Sequence, residues 1–75
     1  MKRLLEALAR ELVDEQRRVS VLEELEDGVT YLSLSVARAD RGRVIGKNGR
    51  TADALRAVVS AVASRRGIEC ELEVE

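Results

Sequence analysis

The sequence predicts a small α+β domain in the order α-β-β-α-α-β, with a three-stranded mixed sheet and three helices on one face. Three patterns support this. Residues 2 to 14 repeat leucines at helical spacing, Asp27-Gly28 separates two alternating segments, and the last eight residues alternate between apolar side chains and glutamate. Residues 14 to 18 lose the helical pattern and form a connector. A chain of 75 residues makes one domain, spanning 1-75, whose small core would benefit from a partner subunit.

The Asp-Gly pair is a strong hairpin signal because both residues accept the positive φ angles of a two-residue turn. Strands are therefore predicted over residues 19 to 26 and 29 to 36. A two-residue loop at 27 and 28 pairs residues whose numbers sum to 55, which places nearly all large apolar side chains of the hairpin on one face. Glu23 is the misfit on that face, and we expect it near the hairpin tip, either exposed or at a bulge.

Two helices are predicted after the hairpin. Asp40 is the expected N-cap of a short helix over Arg41 to Ile45, which ends at Gly46. The next helix begins at Arg50 or Thr51, and its last turn carries two arginines. Its core stripe is predicted to comprise Ala52, Leu55, Val58, Val59 and Val62.

The final segment, residues 68 to 75, has apolar side chains at even positions and glutamate at odd positions. A strand that returns to its sheet through two helices runs parallel to its predecessor, so residues 29 to 36 are expected to form the central strand. The glutamates could be read as metal ligands, but side chains along one strand face diverge. We interpret them as protection of an edge strand against unwanted pairing.

Composition excludes several classes of function. The chain has no His and one cysteine, Cys70, so neither an internal disulfide nor a zinc cluster is possible, and we expect no cofactor or metal. The thiol is interpreted as a small buried side chain rather than a reactive group. A Walker loop is rejected because only three residues separate Gly42 from Gly46 and Asn48 follows Lys47. No catalytic constellation remains, so we predict a protein that is not an enzyme. It shows no signal peptide or membrane span, which predicts a cytoplasmic location without membrane association.

The stretch Gly46-Lys47-Asn48-Gly49 is the candidate site. Glycines allow a tight turn and a close approach by a ligand, while the following helix start offers unpaired N–H groups and the positive end of a dipole. Five cations and one carboxylate give residues 38 to 50 a net charge of +4, against −1 for the whole chain. These features predict a phosphate-binding corner. The alternatives are a plain turn between helices and a solvated cationic helix face.

Together with this order of elements, Val44-Ile45-Gly46-Lys47-Asn48-Gly49 resembles the signature of the KH domain, a V-I-G-x-x-G loop between two helices. The helix and strand ahead of the core resemble the bacterial, type II arrangement. Over essentially its whole length the chain is similar to the small KhpA family of bacterial RNA-binding proteins. The loop joining the first two strands is shorter than in that KH type, which predicts weak, poorly selective binding.

The resemblance implies a set of RNA-binding residues. The glycine loop would clamp the backbone of about four single-stranded nucleotides. The full set it implies is Val44, Ile45, Gly46, Lys47, Asn48, Gly49 and Arg50, with Arg43 and Arg41 less directly supported. Ile45 is the better candidate of the two apolar residues for contact with bases.

The resemblance also implies a role and partners. These are RNA chaperone activity or post-transcriptional regulation, homodimers, pairing with a larger KH protein named KhpB or Jag, and control of the cell envelope, cell wall organisation, cell shape and cell length. The alternative is a scaffold in which the KH fold serves mainly for dimerisation and protein association. Acidic substitutions at Gly46 and Lys47, or at Lys47 and Asn48, are expected to abolish RNA binding and to leave the fold intact.

Overall fold

The helices and strands follow the predicted order in a computed structural model that describes residues 1–75. They are α1 (Lys2–Leu12), β1 (Ser20–Glu26), β2 (Val29–Ser35), α2 (Arg41–Ile45), α3 (Arg50–Arg65) and β3 (Glu69–Val74). Single turns of 3-10 helix precede β1, α2 and α3. The predicted α+β class, the three-stranded mixed sheet and the type II KH order are confirmed.

The hairpin and the sheet have the predicted register. Asp27 and Gly28 have φ angles of 50° and 82°, the two positive values that a type I′ turn requires. Val21 faces Leu34 and Leu25 faces Thr30, in agreement with the predicted pairing. The strand β2 is central, antiparallel to β1 and parallel to β3. The chain therefore crosses from β2 to β3 through α2 and α3, and β3 is an edge strand.

The core lies between the sheet and the helices. It comprises Leu5, Ala9, Val13, Val19, Val21, Leu32, Leu34, Val36, Val44, Leu55 and Val59. The predicted stripe of α3 is wrong at Val58, whose side chain is 43% exposed, whereas Ala63 is buried. The sheet-facing line of the helix is Ala52, Leu55, Val59 and Ala63, spaced three or four residues apart. Val58 lies on the flank of that line.

Two polar residues behave differently from a simple pattern. Glu23 is exposed as expected, and its Oε2 lies 3.9 Å from the terminal amine of Met1. Asp40 occupies the N-cap position of α2, but its side chain makes no capping hydrogen bond. Its carboxylate instead accepts hydrogen bonds from the backbone N–H groups of Asp14 and Glu15. These bonds hold the backbone beyond α1, which ends at Leu12 and not at residue 14.

Candidate nucleic-acid interface

The glycine loop joins α2 to α3 with three residues at positive φ. Gly46 has φ 76° and ψ 171°, Asn48 has φ 56° and Gly49 has φ 75°. The Gly46 N–H donates to the Gly42 carbonyl oxygen at 2.8 Å, and the Gly49 N–H donates to the Gly46 carbonyl oxygen at 3.1 Å. Asn48 is suited to this left-handed conformation because its short polar side chain tolerates it. The loop is thus a defined turn.

The two glycines differ in the space around them. A Cβ added to Gly46 would collide with Thr51. It would lie 2.7 Å from the Cβ of Thr51 and 2.8 Å from the backbone nitrogen of Thr51. A Cβ on Gly49 would meet nothing within 4 Å. The close approach expected of a ligand at Gly46 is therefore made by the protein's own helix. The expectation that an acidic residue at position 46 leaves the fold intact is contradicted by this packing.

The residues of the predicted site divide into surface and core. Lys47, Asn48 and Arg50 are exposed, and Ile45 is 43% exposed. Val44 is fully buried in the hydrophobic core. Its side chain has no surface to offer RNA, so its place among the predicted RNA contacts is corrected: it supports the loop from the core.

The helix α3 begins directly behind the loop without a side-chain cap. Its N-cap residue is Gly49, and no side chain bonds the N–H groups of its first turn. Those N–H groups and the positive end of the helix dipole favour an anion at this position. Lys47 and Arg50 place two exposed cations at the same turn.

The other cations near the loop are arranged unequally. Arg41 is exposed on α2, whereas Arg43 pairs with Asp14, its Nη2 lying 3.1 Å from Oδ2. Both partners of this pair are largely exposed, so it is a weak interaction. The positive charge of the predicted cluster is therefore freest at Arg38, Arg41, Lys47 and Arg50.

A groove of about 390 Å³ runs between α3 and the outer edge of β3. Its lining residues are Arg56, Val59, Ser60, Cys70, Glu71 and Leu72. Arg56 Nε donates to the Leu72 carbonyl oxygen at 3.2 Å, which shows that this backbone group of β3 points away from β2. Alternate backbone groups of an edge strand are free for a ligand. Sequence reasoning missed the role of Arg56, although the predicted crossover already made β3 an edge strand.

The single thiol lies in this groove. Partial burial raises the pKa of Cys70, the terminal amine of Met1 offsets part of this rise, and the carboxylates of Glu23 and Glu71 add to it. The thiol is therefore protonated at neutral pH, and it contributes apolar surface beside Leu72.

A second groove, of about 250 Å³, lies on the other side of α3 against α1. It is lined by Leu8, Glu11, Leu12, Thr51, Ala54, Leu55 and Val58. The exposed atoms of its wall are almost all apolar, and it includes the exposed side chain of Val58. It has no backbone edge, which distinguishes it from the groove beside β3.

The open face of the sheet is acidic. In the strand register, Tyr31 lies between Glu24 and Glu71, and Glu26, Glu69 and Glu73 occupy the same face. No group of three or more His, Cys, Asp or Glu residues is close enough to hold a metal ion. The negative charge is thus spread along the strands on the face opposite the helices.

None of the helices is long and apolar enough to cross a bilayer.

Comparisons with known proteins agree with this architecture. The family model described as KhpA/KhpB, KH domain matches residues 2–74. RNA-binding protein KhpA of Clostridium perfringens is 42% identical over 74 residues, which is 99% of each chain. RNA-binding protein KhpA of Halalkalibacterium halodurans is 43% identical over 74 residues, or 99% of this chain and 97% of the relative.

A solved structure supports the fold at lower sequence identity. The crystal structure of Aquifex aeolicus Era bound to GDP and AlF4⁻ superposes with a TM-score of 0.66 at 16% identity. The match covers 97% of this chain and 28% of the Era chain, so it concerns one part of Era and shows the fold alone. The match to the family model over almost the whole chain, with relatives above 40% identity, means that this chain belongs to the KhpA/KhpB family of KH domains.

Proposed function

We propose that this protein binds single-stranded RNA and holds the sugar-phosphate backbone at Gly46–Gly49. The observation that carries the proposal is the start of α3, which has no side-chain cap and lies behind an exposed, cationic turn. A phosphate can accept hydrogen bonds from the N–H groups of a helix start while Lys47 and Arg50 supply full charges. Relatives named RNA-binding proteins support the choice of RNA as the polyanion.

The bases are proposed to lie in the groove between α3 and β3. Arg56 lies six residues after Arg50, about 9 Å further along the helix, and lines this groove. Its Nε donates to the Leu72 carbonyl oxygen and its Nη1 pairs with Asp53. Unpaired bases are recognised through hydrogen bonds to their edges and contact with their faces. The edge of β3 offers backbone groups for the first and Leu72 offers apolar surface for the second. The groove beside α1 is almost wholly apolar and lacks such partners.

The remaining proposed contacts follow from exposure and charge. Ile45 offers apolar surface to a base next to the loop, and Arg41 reaches phosphates beyond it. Arg43 contributes if RNA competes with Asp14 for its guanidinium. The short hairpin turn at Asp27-Gly28 leaves one wall of the interface low, which favours weak binding with little sequence selectivity.

The biological role is proposed from the family resemblance. The protein would act in the cytoplasm as an RNA chaperone or post-transcriptional regulator, without enzymatic activity. Its proposed protein partners are a second copy of itself and a larger KH protein, KhpB or Jag. Its proposed output is control of the cell envelope, cell wall organisation, cell shape and cell length.

A scaffold for protein association is the second candidate function. The groove between α1 and α3 favours it, because its exposed wall is almost wholly apolar and Val58 lies at its surface. A second copy of the chain is the proposed occupant, since a core of this size gains from further burial. The two functions are compatible because Lys47, Asn48 and Arg50 do not line this groove.

The test is the double variant Lys47→Asp with Asn48→Asp. Aspartate tolerates the positive φ of residue 48, and both side chains are exposed, so the fold is expected to persist. Two carboxylates at the phosphate position should weaken binding to a short single-stranded RNA by at least about tenfold, the scale of charge-assisted hydrogen bonds. Fluorescence anisotropy measures the affinity, and circular dichroism checks the fold.

The matched control is Lys2→Asp with Ala7→Asp, which changes the net charge by the same amount on the exposed side of α1. Its affinity should fall far less than that of the loop variant. Wild-type affinity should also fall with salt, with a logarithmic slope of about −2 for three phosphate contacts. Equal losses in the two variants, or a flat salt response, would remove the site assignment and leave the scaffold function.

A further inference from the structure

One buried carboxylate lies next to the proposed RNA site without belonging to it. Asp40 is 2% exposed and is the one charged residue in the buried set. Its Oδ1 accepts the N–H of Asp14 at 3.2 Å, and its Oδ2 accepts the N–H of Glu15 at 3.1 Å. Burying a charge is costly unless hydrogen bonds compensate for the lost water. Both oxygens of Asp40 accept hydrogen bonds from the connector after α1, and neither accepts one from α2.

The same connector makes a second contact, this time with a side chain of α2. Arg43 Nη2 lies 3.1 Å from Asp14 Oδ2, and its Nη1 donates to Asp14 Oδ1 at 3.4 Å. The backbone of the connector thus binds the residue before α2, and a side chain of the connector binds the last turn of α2. We call this arrangement of Asp40, Asp14, Glu15 and Arg43 the connector clamp.

The connector clamp acts on a short helix that has a single buried side chain of its own. Helix α2 has five residues, or about 7.5 Å of length, and isolated helices of this size are unstable. Val44 is its one buried residue. The glycine loop follows directly, so any tilt of α2 moves Gly46–Gly49 relative to the start of α3.

We propose that Asp40 is a positioning residue for RNA binding. It holds α2 so that the glycine loop and the start of α3 face one phosphate together. This inference rests on the proposed function. It means that a carboxylate strengthens the binding of a polyanion although it does not contact the RNA.

The sign of that effect separates three explanations. If Asp40 acts only as a negative charge near the loop, its neutralisation should tighten RNA binding. If it acts only on stability, the affinity of fully folded protein should not change. If it positions the loop, neutralisation should weaken binding although the protein has become more positive.

The experiment compares Asp40→Asn with Glu15→Gln. The asparagine keeps the shape but directs an amide donor at one of the two N–H groups, so at most one hydrogen bond survives. Glu15→Gln removes the same charge from the neighbouring exposed residue and keeps its backbone N–H. Both variants are measured by anisotropy on a short single-stranded RNA at a temperature where circular dichroism shows complete folding. Amide NMR spectra report the loop.

We expect Asp40→Asn to bind about three- to tenfold more weakly than wild type, within the range seen for residues that act through others. The amide resonances of Gly46, Gly49 and Arg50 should shift in the free protein. Glu15→Gln should bind as wild type does or slightly more tightly, with loop resonances unchanged.

Equal affinities for the two variants, or tighter binding by Asp40→Asn, would overturn the inference. If Asp40→Asn is partly unfolded, the comparison is repeated in sucrose, which favours the folded state. Failure to fold even there would also overturn it, because Asp40 would then serve the fold as a whole. The proposed function fails separately, if wild type does not bind RNA or the loop variant at Lys47 and Asn48 binds normally.

Discussion

The two loop glycines allow a sharp test of how the loop is built, by replacing each with alanine. At Gly46 the new methyl group would enter space filled by Thr51, and the backbone has φ 76° with ψ 171°, a region that almost only glycine adopts. At Gly49 the methyl group enters open space, and φ 75° with ψ 11° is the left-handed region that other residues reach at moderate cost. Gly46→Ala should therefore be much the more damaging change.

The expected losses can be separated by their causes. Backbone strain at residue 46 costs about 1–3 kcal/mol. Overpacking against Thr51 adds about 1–3 kcal/mol. Gly49→Ala should cost about 1–2 kcal/mol from strain alone. A domain of this length has a free energy of unfolding of about 4–11 kcal/mol, so Gly46→Ala could remove half of it.

Urea denaturation followed by circular dichroism measures both free energies of unfolding. The dependence on urea is about 1 kcal/mol per molar for a small domain, so Gly46→Ala should lower the midpoint by about 2 M or more. Thr51→Ala introduced into Gly46→Ala should recover only a small part of the loss, because alanine keeps the Cβ and the backbone nitrogen that the new methyl group meets. Equal losses at the two glycines, or full recovery by Thr51→Ala, would refute this account of the loop.

Two further predictions concern the grooves on either side of α3. Because burial raises the pKa of Cys70, its thiol should react with iodoacetamide more slowly in native than in urea-unfolded protein. The difference in rate should shrink as the pH rises through the raised pKa. Equal rates at mildly alkaline pH would contradict this prediction. Val58→Asp should shift a self-associated protein towards monomer in sedimentation velocity without lowering its thermal stability as a monomer. The control Ala61→Asp, on the exposed side of the same helix, should leave the oligomeric state unchanged. An unchanged oligomeric state in Val58→Asp would remove the α1–α3 groove as the interface.

Local patterns explain why the topology could be predicted. The Asp27-Gly28 pair determines a type I′ turn through its own φ angles, and that turn fixes the register of the hairpin without reference to the rest of the chain. The alternation of the last strand and the helical spacing of α1 act in the same local way. A parallel return through two helices then leaves one position for β3.

Side-chain partners distant in sequence could not be predicted. Asp40 is of a residue type preferred at an N-cap, but its carboxylate accepts hydrogen bonds from two N–H groups that lie 25 and 26 residues away in the sequence. Val58 fits the helical period as well as Val59 does, and only the packing of α3 on the sheet decides between them. Arg56 had no local signal, because its partner is a backbone carbonyl of β3.

The turn at the glycine motif can be predicted from local sequence, but the space around each glycine depends on how α3 packs. Both glycines have positive φ, which the turn demands, but only Gly49 faces open space where a phosphate can approach. Loss of RNA binding in a Gly46 variant would therefore report on the packing of Thr51 and α3 as much as on RNA. Gly49→Ala, with its fold largely kept, places one methyl group at the proposed phosphate position. A fall in RNA affinity there, at unchanged net charge, would be the more direct evidence for backbone contact.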